Sequence, residues 1–325
     1  MEERAWDKLP NTRRSLMKVY GKTIPEVLRA PLLVYAMLTH KCNLNCIYCY
    51  LGCPRKTGEL STEEWRTFLN DARELGVPAV CFSGGEPTLR EDLTELIRHT
   101  ARLGLRVSID SNGHLINADY ARELKISGLG KALISLDGAE ARVHESLRGQ
   151  GSFEKAFRAI EALIFEGIPV TISFCCTKLN FKDFPNVVRL AEELGATKVL
   201  GIRLIPTTDE ARRLAITKEE SDSILKQVSE YKGKITVRFD DVIDWIKARV
   251  PNFTCAISPE GWSLPFSGSK LAFGNIRKIS FKEIWEKGLS KAWRHPVFTK
   301  TSEISNELDL AEVHKMVSDY TDLLE

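Results

Sequence analysis

The segment THKCNLNCIYCYLGCPRKTG, residues 39–58, contains four cysteines within twelve positions. It directly follows the apolar run LLVYAML at 32–38, which is typical of a strand buried in a parallel sheet. Active sites of βα folds lie at the carboxyl ends of such strands. We therefore expect a functional site at this end of the first strand, around Cys42, Cys46, Cys49 and Cys53.

Five more apolar runs follow, and amphipathic segments with the spacing of helices separate them. One such segment, STEEWRTFLNDARELG, begins with the capping-box pair Ser61 and Glu64 and ends at Gly76. Strand–helix alternation repeated six times predicts an α/β fold, and right-handed crossovers curve its sheet. Because a closed TIM barrel has eight strands, we expect a partial (β/α)6 barrel of TIM type. The later runs lie at 79–83, 105–110, 131–137, 170–176 and 198–205.

The pattern loosens after residue 206. We expect a strand at 234–239, a hairpin in CAISPEGWSLPFSG, a short helix in SFKEIWEKG and an amphipathic tail helix that docks on the chain's own core or in a dimer. The chain is thus expected to divide into an N-terminal extension, a partial barrel, a small hairpin-and-helix extension and a helical tail. The corresponding ranges are 1–30, 31–235, 236–290 and 291–325.

Composition narrows the class of protein. The formal net charge of +2 gives no general reason to expect binding to nucleic acid. The sequence has no run of about 18 apolar residues, which a membrane span would need. The N-terminus lacks the apolar core of a signal peptide. We therefore expect a cytoplasmic protein, whose cysteines bind metal or do chemistry rather than form disulfides.

Three chemistries compete for the cysteine segment. Cys46 and Cys49 form the C-x-x-C pair of a zinc site, but no second pair follows downstream. The same pair suits a redox disulfide only at a helix N-terminus in a different strand order. Alternatively, three thiolates on one loop can hold three irons of a cubane and leave the fourth iron open for a small chelating molecule.

The residues also carry a resemblance. CNLNCIYC, with Cys42, Cys46 and Cys49, resembles the cluster signature of the radical S-adenosylmethionine (AdoMet) enzymes. FSGGEPTL at 82–89 is similar to the family's Gly-Gly-Glu-Pro segment, and SNG, SLDG and HESLRGQGSF follow in the family's order. The resemblance covers about residues 30–206. It implies an enzyme with a [4Fe-4S] cluster on those three cysteines and AdoMet bound at the open iron.

This resemblance implies reductive cleavage of AdoMet to a 5′-deoxyadenosyl radical, which takes a hydrogen atom from substrate, and an electron donor such as ferredoxin or flavodoxin. It also implies AdoMet contacts. Gly84 and Gly85 allow close backbone approach to the ligand. Glu86 and the adjacent backbone accept hydrogen bonds from the AdoMet ammonium, and Arg148 pairs with the AdoMet carboxylate. Ser135 and Asp137 contact the ribose hydroxyls or the amino-acid end of AdoMet, and Tyr48 flanks the adenine. The residues are Tyr48, Gly84, Gly85, Glu86, Pro87, Asn112, Ser135, Asp137 and Arg148.

A second resemblance lies at 255–289, which is similar to the C-terminal SPASM or Twitch extension. Cys255 stands at the place of the first cluster ligand, but Phe266 stands at the second, and no cysteine follows residue 255. Because an auxiliary cubane needs about three or four thiolates, we expect a scaffold without a cluster. Cys53, Cys81, Cys175 and Cys176 are expected to be bystanders or small apolar residues.

The substrate stays open. The resemblance allows peptide or protein modification, maturation of a cofactor such as a tetrapyrrole, or modification of another small molecule or a lipid. A non-catalytic iron–sulfur protein for electron transfer or sensing is the alternative from another class. We expect a monomer or a homodimer.

Overall fold

The computed structural model describes residues 25–51, 58–204, 206, 208–240, 252–296, 298 and 321–324. Nearly all of the predicted N-terminal extension, Cys53 and most of the predicted tail helix lie outside these residues. No helix in the described part of the chain is long and apolar enough to cross a membrane.

Strands and helices alternate through the described chain, as predicted. The strands are β1 Leu33–Met37, β2 Ala79–Ser83, β3 Arg106–Ser111, β4 Lys131–Ser135, β5 Val170–Cys176, β6 Lys198–Arg203, β7 Thr236–Asp240, β8 Thr254–Ile257, β9 Ser263–Leu264, β10 Leu271–Ala272 and β11 Thr321–Asp322. The helices are α1 Thr62–Leu75, α2 Leu93–Arg102, α3 Ala118–Ile126, α4 Ala141–Arg148, α5 Ser152–Phe165, α6 Phe184–Leu194, α7 Asp209–Leu214, α8 Lys218–Glu230 and α9 Phe281–Lys287. The predicted capping box of α1 is present, and Gly76 ends that helix in the left-handed conformation.

Nine strands form one sheet in the order β7-β6-β5-β4-β3-β2-β1-β8-β9. All neighbours are parallel except β8 and β9, which form the predicted hairpin. The first six strands are neighbours in chain order, all parallel and joined through helices, which is the arrangement of a (β/α)6 partial barrel. The partial barrel is thus confirmed.

The sheet is larger than predicted at both edges. β7 is the strand expected at 234–239, and it pairs with β6 in register, Leu200 beside Arg238. On the other edge, β8 of the C-terminal extension pairs with β1, Val34 beside Cys255. The division of the chain at residue 235 stays a prediction, but the extension's first strand is part of the barrel sheet.

The end of the chain differs from the predicted helix. Thr321–Asp322 is a short strand parallel to β10, and Asp322 Oδ1 accepts a 2.7 Å hydrogen bond from the Gly274 backbone. Leu324 lies against the turn at Gly274 and against Gly288. At these residues the tail docks on the chain's own extension. Pairing with β10 gives hydrogen bonds to backbone N–H and C=O groups that the end of a helix would leave without a partner.

The two faces of each barrel strand differ in polarity, although the sequence runs suggested burial on both faces. Ala132, Val199 and Cys176 face the helices and belong to the main hydrophobic core. Their neighbours Lys131 and Lys198 lie on the opposite face, toward the barrel interior. Cys175 shares that inner face and is half-buried, whereas its neighbour Cys176 faces the helices.

Candidate active site

The three signature cysteines lie on one loop, Thr39–Leu51, which we call the cluster loop and which follows β1. Cys42, Cys46 and Cys49 are half-buried and form no disulfide among the described residues. The Ile47 backbone N–H donates to the Leu147 carbonyl in α4 at 3.0 Å, and the Cys49 N–H donates to the Cys46 carbonyl at 3.1 Å. The loop is therefore held against the helix that follows β4.

Hydrogen-bond donors surround the thiols. The Leu44 N–H lies 3.5 Å from Cys42 Sγ, and Arg148 Nη1 lies 4.0 Å from Cys46 Sγ. The Asn43 side-chain Nδ2 is buried and has no partner within the described chain. Burial raises the pKa of Cys46 to about 11, against the lowering effect of Arg148. Such a thiol ionises only with a cationic partner, and donors directed at sulfur are typical of iron–sulfur sites.

The zinc alternative needs ligands that converge on one ion, and one of its candidates, Cys53, lies outside the described residues. Among the described residues, no three His, Cys, Asp or Glu side chains converge as ligands of one metal ion. A cubane takes each thiolate on a different iron, so its thiols stand further apart than the ligands of a single ion. Three thiols on one loop with an unused buried amide donor beside them fit a [4Fe-4S] cluster.

The Gly-Gly-Glu-Pro segment packs against the cluster loop. A Cβ on Gly85 would lie 2.3 Å from the Lys41 carbonyl oxygen, and one on Gly84, whose φ is +130°, would lie 2.6 Å from that of Thr39. The Gly85 N–H donates to that Thr39 oxygen at 2.7 Å. In the structure the two glycines make room for the backbone that leads into the cysteines. That these glycines also let a ligand approach stays a prediction.

Glu86 is fully buried and joins the ends of β2 and β3. Its Oε1 accepts from Ser111 Oγ at 2.8 Å and from the Thr88 hydroxyl and N–H, and its Oε2 accepts from the Asn112 N–H at 2.8 Å. Three of these donors bind Oε1 and one binds Oε2, and the bond of this carboxylate to the AdoMet ammonium stays a prediction. Pro87 begins a short 3-10 helix, Pro87–Leu89.

Three predicted AdoMet contacts meet each other instead. The fully buried Asp137 accepts from the Tyr48 hydroxyl and from Arg148 Nε, the latter at 2.5 Å. Its other oxygen accepts from the Cys175 N–H at 2.7 Å. The Arg148 guanidinium also lies over the Tyr48 ring, 5.6 Å from the centroid. The Asp137 side chain is therefore engaged by protein donors, and its contact with ribose stays a prediction, whereas Arg148 directs Nη1 toward the cluster loop.

Sequence reasoning missed two residues that hold this group. The Asp137 N–H donates to His144 Nδ1 at 3.0 Å, and burial together with the charge of Arg148 lowers the pKa of His144 to about 4. Asn180 Nδ2 donates to the carbonyls of Asp137 and Cys175, at 3.0 and 2.9 Å. His144 was within the quoted HESLRGQGSF stretch, but Asn180 lies in a loop after β5 with no motif to mark it.

The remaining predicted ligands are placed at the same edge. Asn112 follows β3, and its Nδ2 donates to Asn43 Oδ1 at 2.8 Å and lies 3.9 Å from Cys42 Sγ. It therefore faces the cluster loop. Ser135 ends β4 on the face that looks into the barrel and is nearly buried.

The C-terminal extension contacts the chain on both sides of the cysteines, which the sequence did not reveal. Glu260 Oε1 lies 2.6 Å from His40 Nε2. Arg277 donates to the Gly58 carbonyl at 2.8 Å and to Glu64 Oε1 at 2.5 Å. We call Glu260 and Arg277 the clasp. Its two residues fasten the extension to the chain on either side of the cysteines.

The extension itself offers its one cysteine no ligand-like surroundings. Cys255 is fully buried in the main core, and burial raises the pKa of its thiol far above the usual value. Phe266, at the place of the second ligand, stacks on Trp293 with ring centroids 6.1 Å apart. Apolar packing therefore fills the region where an auxiliary cluster would need thiolates.

Comparison with known proteins agrees with this geometry. The radical SAM superfamily model matches residues 37–191. An AdoMet-dependent heme synthase of Oleidesulfovibrio alaskensis is 31% identical and is covered over 77% of this chain and 73% of its own length. A PqqA peptide cyclase of Methylocella silvestris is 29% identical over 80% and 75%. Streptococcus suis SuiB bound to its precursor peptide SuiA shares the fold, with a TM-score of 0.70, 16% identity and coverage of 96% and 75%.

Proposed function

Because this chain belongs to the radical SAM superfamily, whose enzymes use a [4Fe-4S] cluster and AdoMet, we propose that Cys42, Cys46 and Cys49 hold that cluster here. When bound, the cluster and AdoMet supply a carbon radical that removes a hydrogen atom from substrate. The proposal rests above all on the cluster loop, where three accessible thiols share one loop with donors directed at sulfur.

The chain's own residues prepare this site in two ways. Asp137 fixes Arg148 beside Cys46, so that a positive charge lies where a reduced cluster adds negative charge. In this proposal the backbone of Gly84–Pro87 accepts hydrogen bonds from the AdoMet ammonium, and the Arg148 guanidinium, whose Nη1 lies beside Cys46 Sγ, pairs with the AdoMet carboxylate. Ser135 and Asn112 stay candidates for the ribose or the amino-acid end, and Tyr48 for one side of the adenine.

Our first candidate for the substrate is a porphyrin that carries carboxylate groups. A relative named as a heme synthase matches most of both chains at 31% identity. A peptide is the second candidate, because relatives named as peptide cyclases also match most of the chain, at slightly lower identity. A ferredoxin or flavodoxin supplies the electron in this proposal, and the enzyme works in the reducing cytoplasm as a monomer or homodimer.

The test is formation of 5′-deoxyadenosine by the anaerobically reconstituted protein with AdoMet and dithionite. We expect the wild type to form the nucleoside, and Cys46→Ala to form none. Wild-type protein that holds a full cluster and yet forms no nucleoside would contradict the proposed function.

A further inference from the structure

Asp110 is an acidic residue on the inner face of β3, near the end of the strand where the cysteines lie. It is the penultimate residue of β3, and it faces the interior because its neighbour Ile109 belongs to the helical core and side chains alternate along a strand. Two residues further on, about 7 Å along the chain, the Asn112 side chain lies 3.9 Å from Cys42 Sγ. Asp110 is therefore one step along the inner face from a residue that reaches the cluster loop.

The register of the sheet places Asp110 beside the Gly-Gly-Glu-Pro segment. Strands β2 and β3 are parallel and pair Phe82 with Ile109, so that Ser83 is level with Asp110 at the strand spacing of about 4.8 Å. Gly84 follows Ser83 directly. The Asp110 carboxylate and the backbone at Gly84 therefore border the same part of the interior.

Asp110 differs from the two other acids at this end of the barrel because it has no donor. Glu86 accepts four hydrogen bonds and Asp137 accepts three, whereas no described residue donates to the Asp110 carboxylate or forms an ion pair with it. Asp110 is only half-buried, so packing does not seal it. Since an unpaired acid in a protein interior is costly, an apolar residue such as Leu133, its neighbour on β4, would be more stable here.

The cations near Asp110 do not neutralise it. Burial raises the pKa of Asp110 to about 6, while the charge of Arg148 lowers it and that of Glu86 raises it. Arg148 is already paired with Asp137 through Nε. Lys131, at the opposite end of β4, forms no ion pair with Asp110 within the described chain. The carboxylate therefore keeps its full capacity to accept from a ligand.

The other titratable side chains that face Asp110 are neutral. Tyr35 on β1 and Cys81 on β2 are held protonated mainly by burial, and the charge of Asp110 is a further cause that raises both pKa values. Neither group can supply a positive charge. A carboxylate in these surroundings is best matched by a cationic hydrogen-bond donor.

We infer that the Asp110 carboxylate binds the α-ammonium group of AdoMet, beside the backbone at Gly84. The inference rests on the proposed function and adds an AdoMet contact that no motif marked. An α-amino acid joins its ammonium and its carboxylate through one carbon, so the partners of these two groups must lie close together. Asp110 is close enough to Arg148, the proposed partner of the AdoMet carboxylate, to feel its charge. An ammonium has three N–H donors, which suffice for Asp110 and a backbone carbonyl together.

The test is equilibrium dialysis of AdoMet against the anaerobically reconstituted protein without a reductant, so that AdoMet is bound but not cleaved. We expect Asp110→Asn to weaken AdoMet binding about tenfold at pH 7.5, as loss of a charged hydrogen bond does. Asparagine keeps the side-chain shape and removes an unpaired charge, so the variant should fold and take up iron like wild type. Asp222→Asn, at an exposed position of α8, is the matched control and should bind AdoMet like wild type.

Two analogues identify the group that Asp110 meets. S-adenosylhomocysteine keeps the ammonium without the sulfonium charge, and its affinity should fall by the same factor as that of AdoMet. 5′-Methylthioadenosine lacks the amino-acid end and should bind equally to wild type and to Asp110→Asn. The pH supplies a third reading. Wild-type affinity for S-adenosylhomocysteine should decrease as the pH falls through about 6, where the free carboxylate becomes protonated, and Asp110→Asn should lack this decrease.

Equal affinity of wild type and Asp110→Asn for AdoMet would overturn the inference. A loss confined to AdoMet would also overturn it, because the carboxylate would then act on the sulfonium. So would an equal loss for 5′-methylthioadenosine, which would indicate a distorted site. If Asp110→Asn takes up less iron than wild type, Asp110→Ser is measured in its place with the same expected losses. Because binding is measured without turnover, a wild type that binds AdoMet through Asp110 and forms no 5′-deoxyadenosine contradicts only the proposed function.

Discussion

The cluster loop and the C-terminal extension both carry cysteine at positions that resemble cluster ligands, but only one offers the thiols a suitable environment. On the cluster loop the thiols are half-buried and lie beside an Arg guanidinium and backbone N–H groups. In the extension, Cys255 is sealed in the core beside Val34 and has no ionised neighbour that shifts its pKa. Accessibility and nearby positive donors, rather than the thiol alone, distinguish the two regions.

The largest expected difference between the regions is in the cysteines themselves. Cys42→Ala, Cys46→Ala and Cys49→Ala should each abolish 5′-deoxyadenosine formation, because each removes a proposed ligand of one iron. Cys255→Ala should keep both the iron and the activity, since it changes only core packing. Iron analysis and nucleoside assay check both, and loss of iron from Cys255→Ala would break the comparison.

A pair of glycines, one in each region, tests how closely each region is packed. Gly85→Ala should displace the cluster loop and lose most of the iron, because its Cβ would lie 2.3 Å from a backbone oxygen. Gly268→Ala in the extension should have little effect, since the nearest atom would be a Phe266 ring carbon at 3.4 Å. Both variants are compared by iron content after identical reconstitution. Equal iron in the two would show that the close packing under the cluster loop is not needed.

The buried ion pair beside the cluster comes next. Asp137→Asn leaves the Arg148 guanidinium without its partner and should cost about 3–5 kcal/mol of the free energy of unfolding. The exposed pair Arg158–Glu154 on α5 is the control, and Glu154→Gln should cost less than about 1 kcal/mol. Urea denaturation of both variants measures this. An Asp137→Asn cost as small as the control would mean that Asp137 does not stabilise Arg148.

The smallest effect concerns the clasp. Glu260→Gln removes the carboxylate that meets His40 and should cost about 1 kcal/mol, with faster loss of iron to a chelator. Burial raises the pKa of Glu260, but bonding to His40 outweighs this and lowers it overall. Its stabilisation is therefore present above about pH 4.3 and is lost as the pH falls through the lowered pKa of the folded protein.

The variant should consequently differ from wild type at pH 7 and converge with it in acid. Urea denaturation at several pH values measures the difference. A difference that persists below the lowered pKa of Glu260 would contradict the assignment of this pair.

Much of the fold could be predicted from local sequence, because periodicity and turn residues depend on near neighbours in the chain. The βα units, the hairpin at 254–264, α9 and the capping box of α1 follow from such patterns. What could not be predicted depends on distant partners. Two of the four donors to Glu86 are 25 and 26 residues away, and Asp137 accepts from a Tyr of the cluster loop 89 residues away.

The same limit applies to the strand faces. Runs such as KALISLD look apolar along their length, but Lys131 at the start lies on the interior face once the sheet curves. The end of the tail was misjudged as helix because its backbone pairing with β10 is a long-range choice that periodicity does not encode.

The most direct test of the contrast between the two regions is the amount of iron and labile sulfide per chain after anaerobic reconstitution. A single cluster on the cluster loop predicts about four irons and four sulfides, in both the wild type and Cys255→Ala. About eight irons in the wild type, falling to about four in Cys255→Ala, would show that the extension still holds a second cluster and would contradict the account.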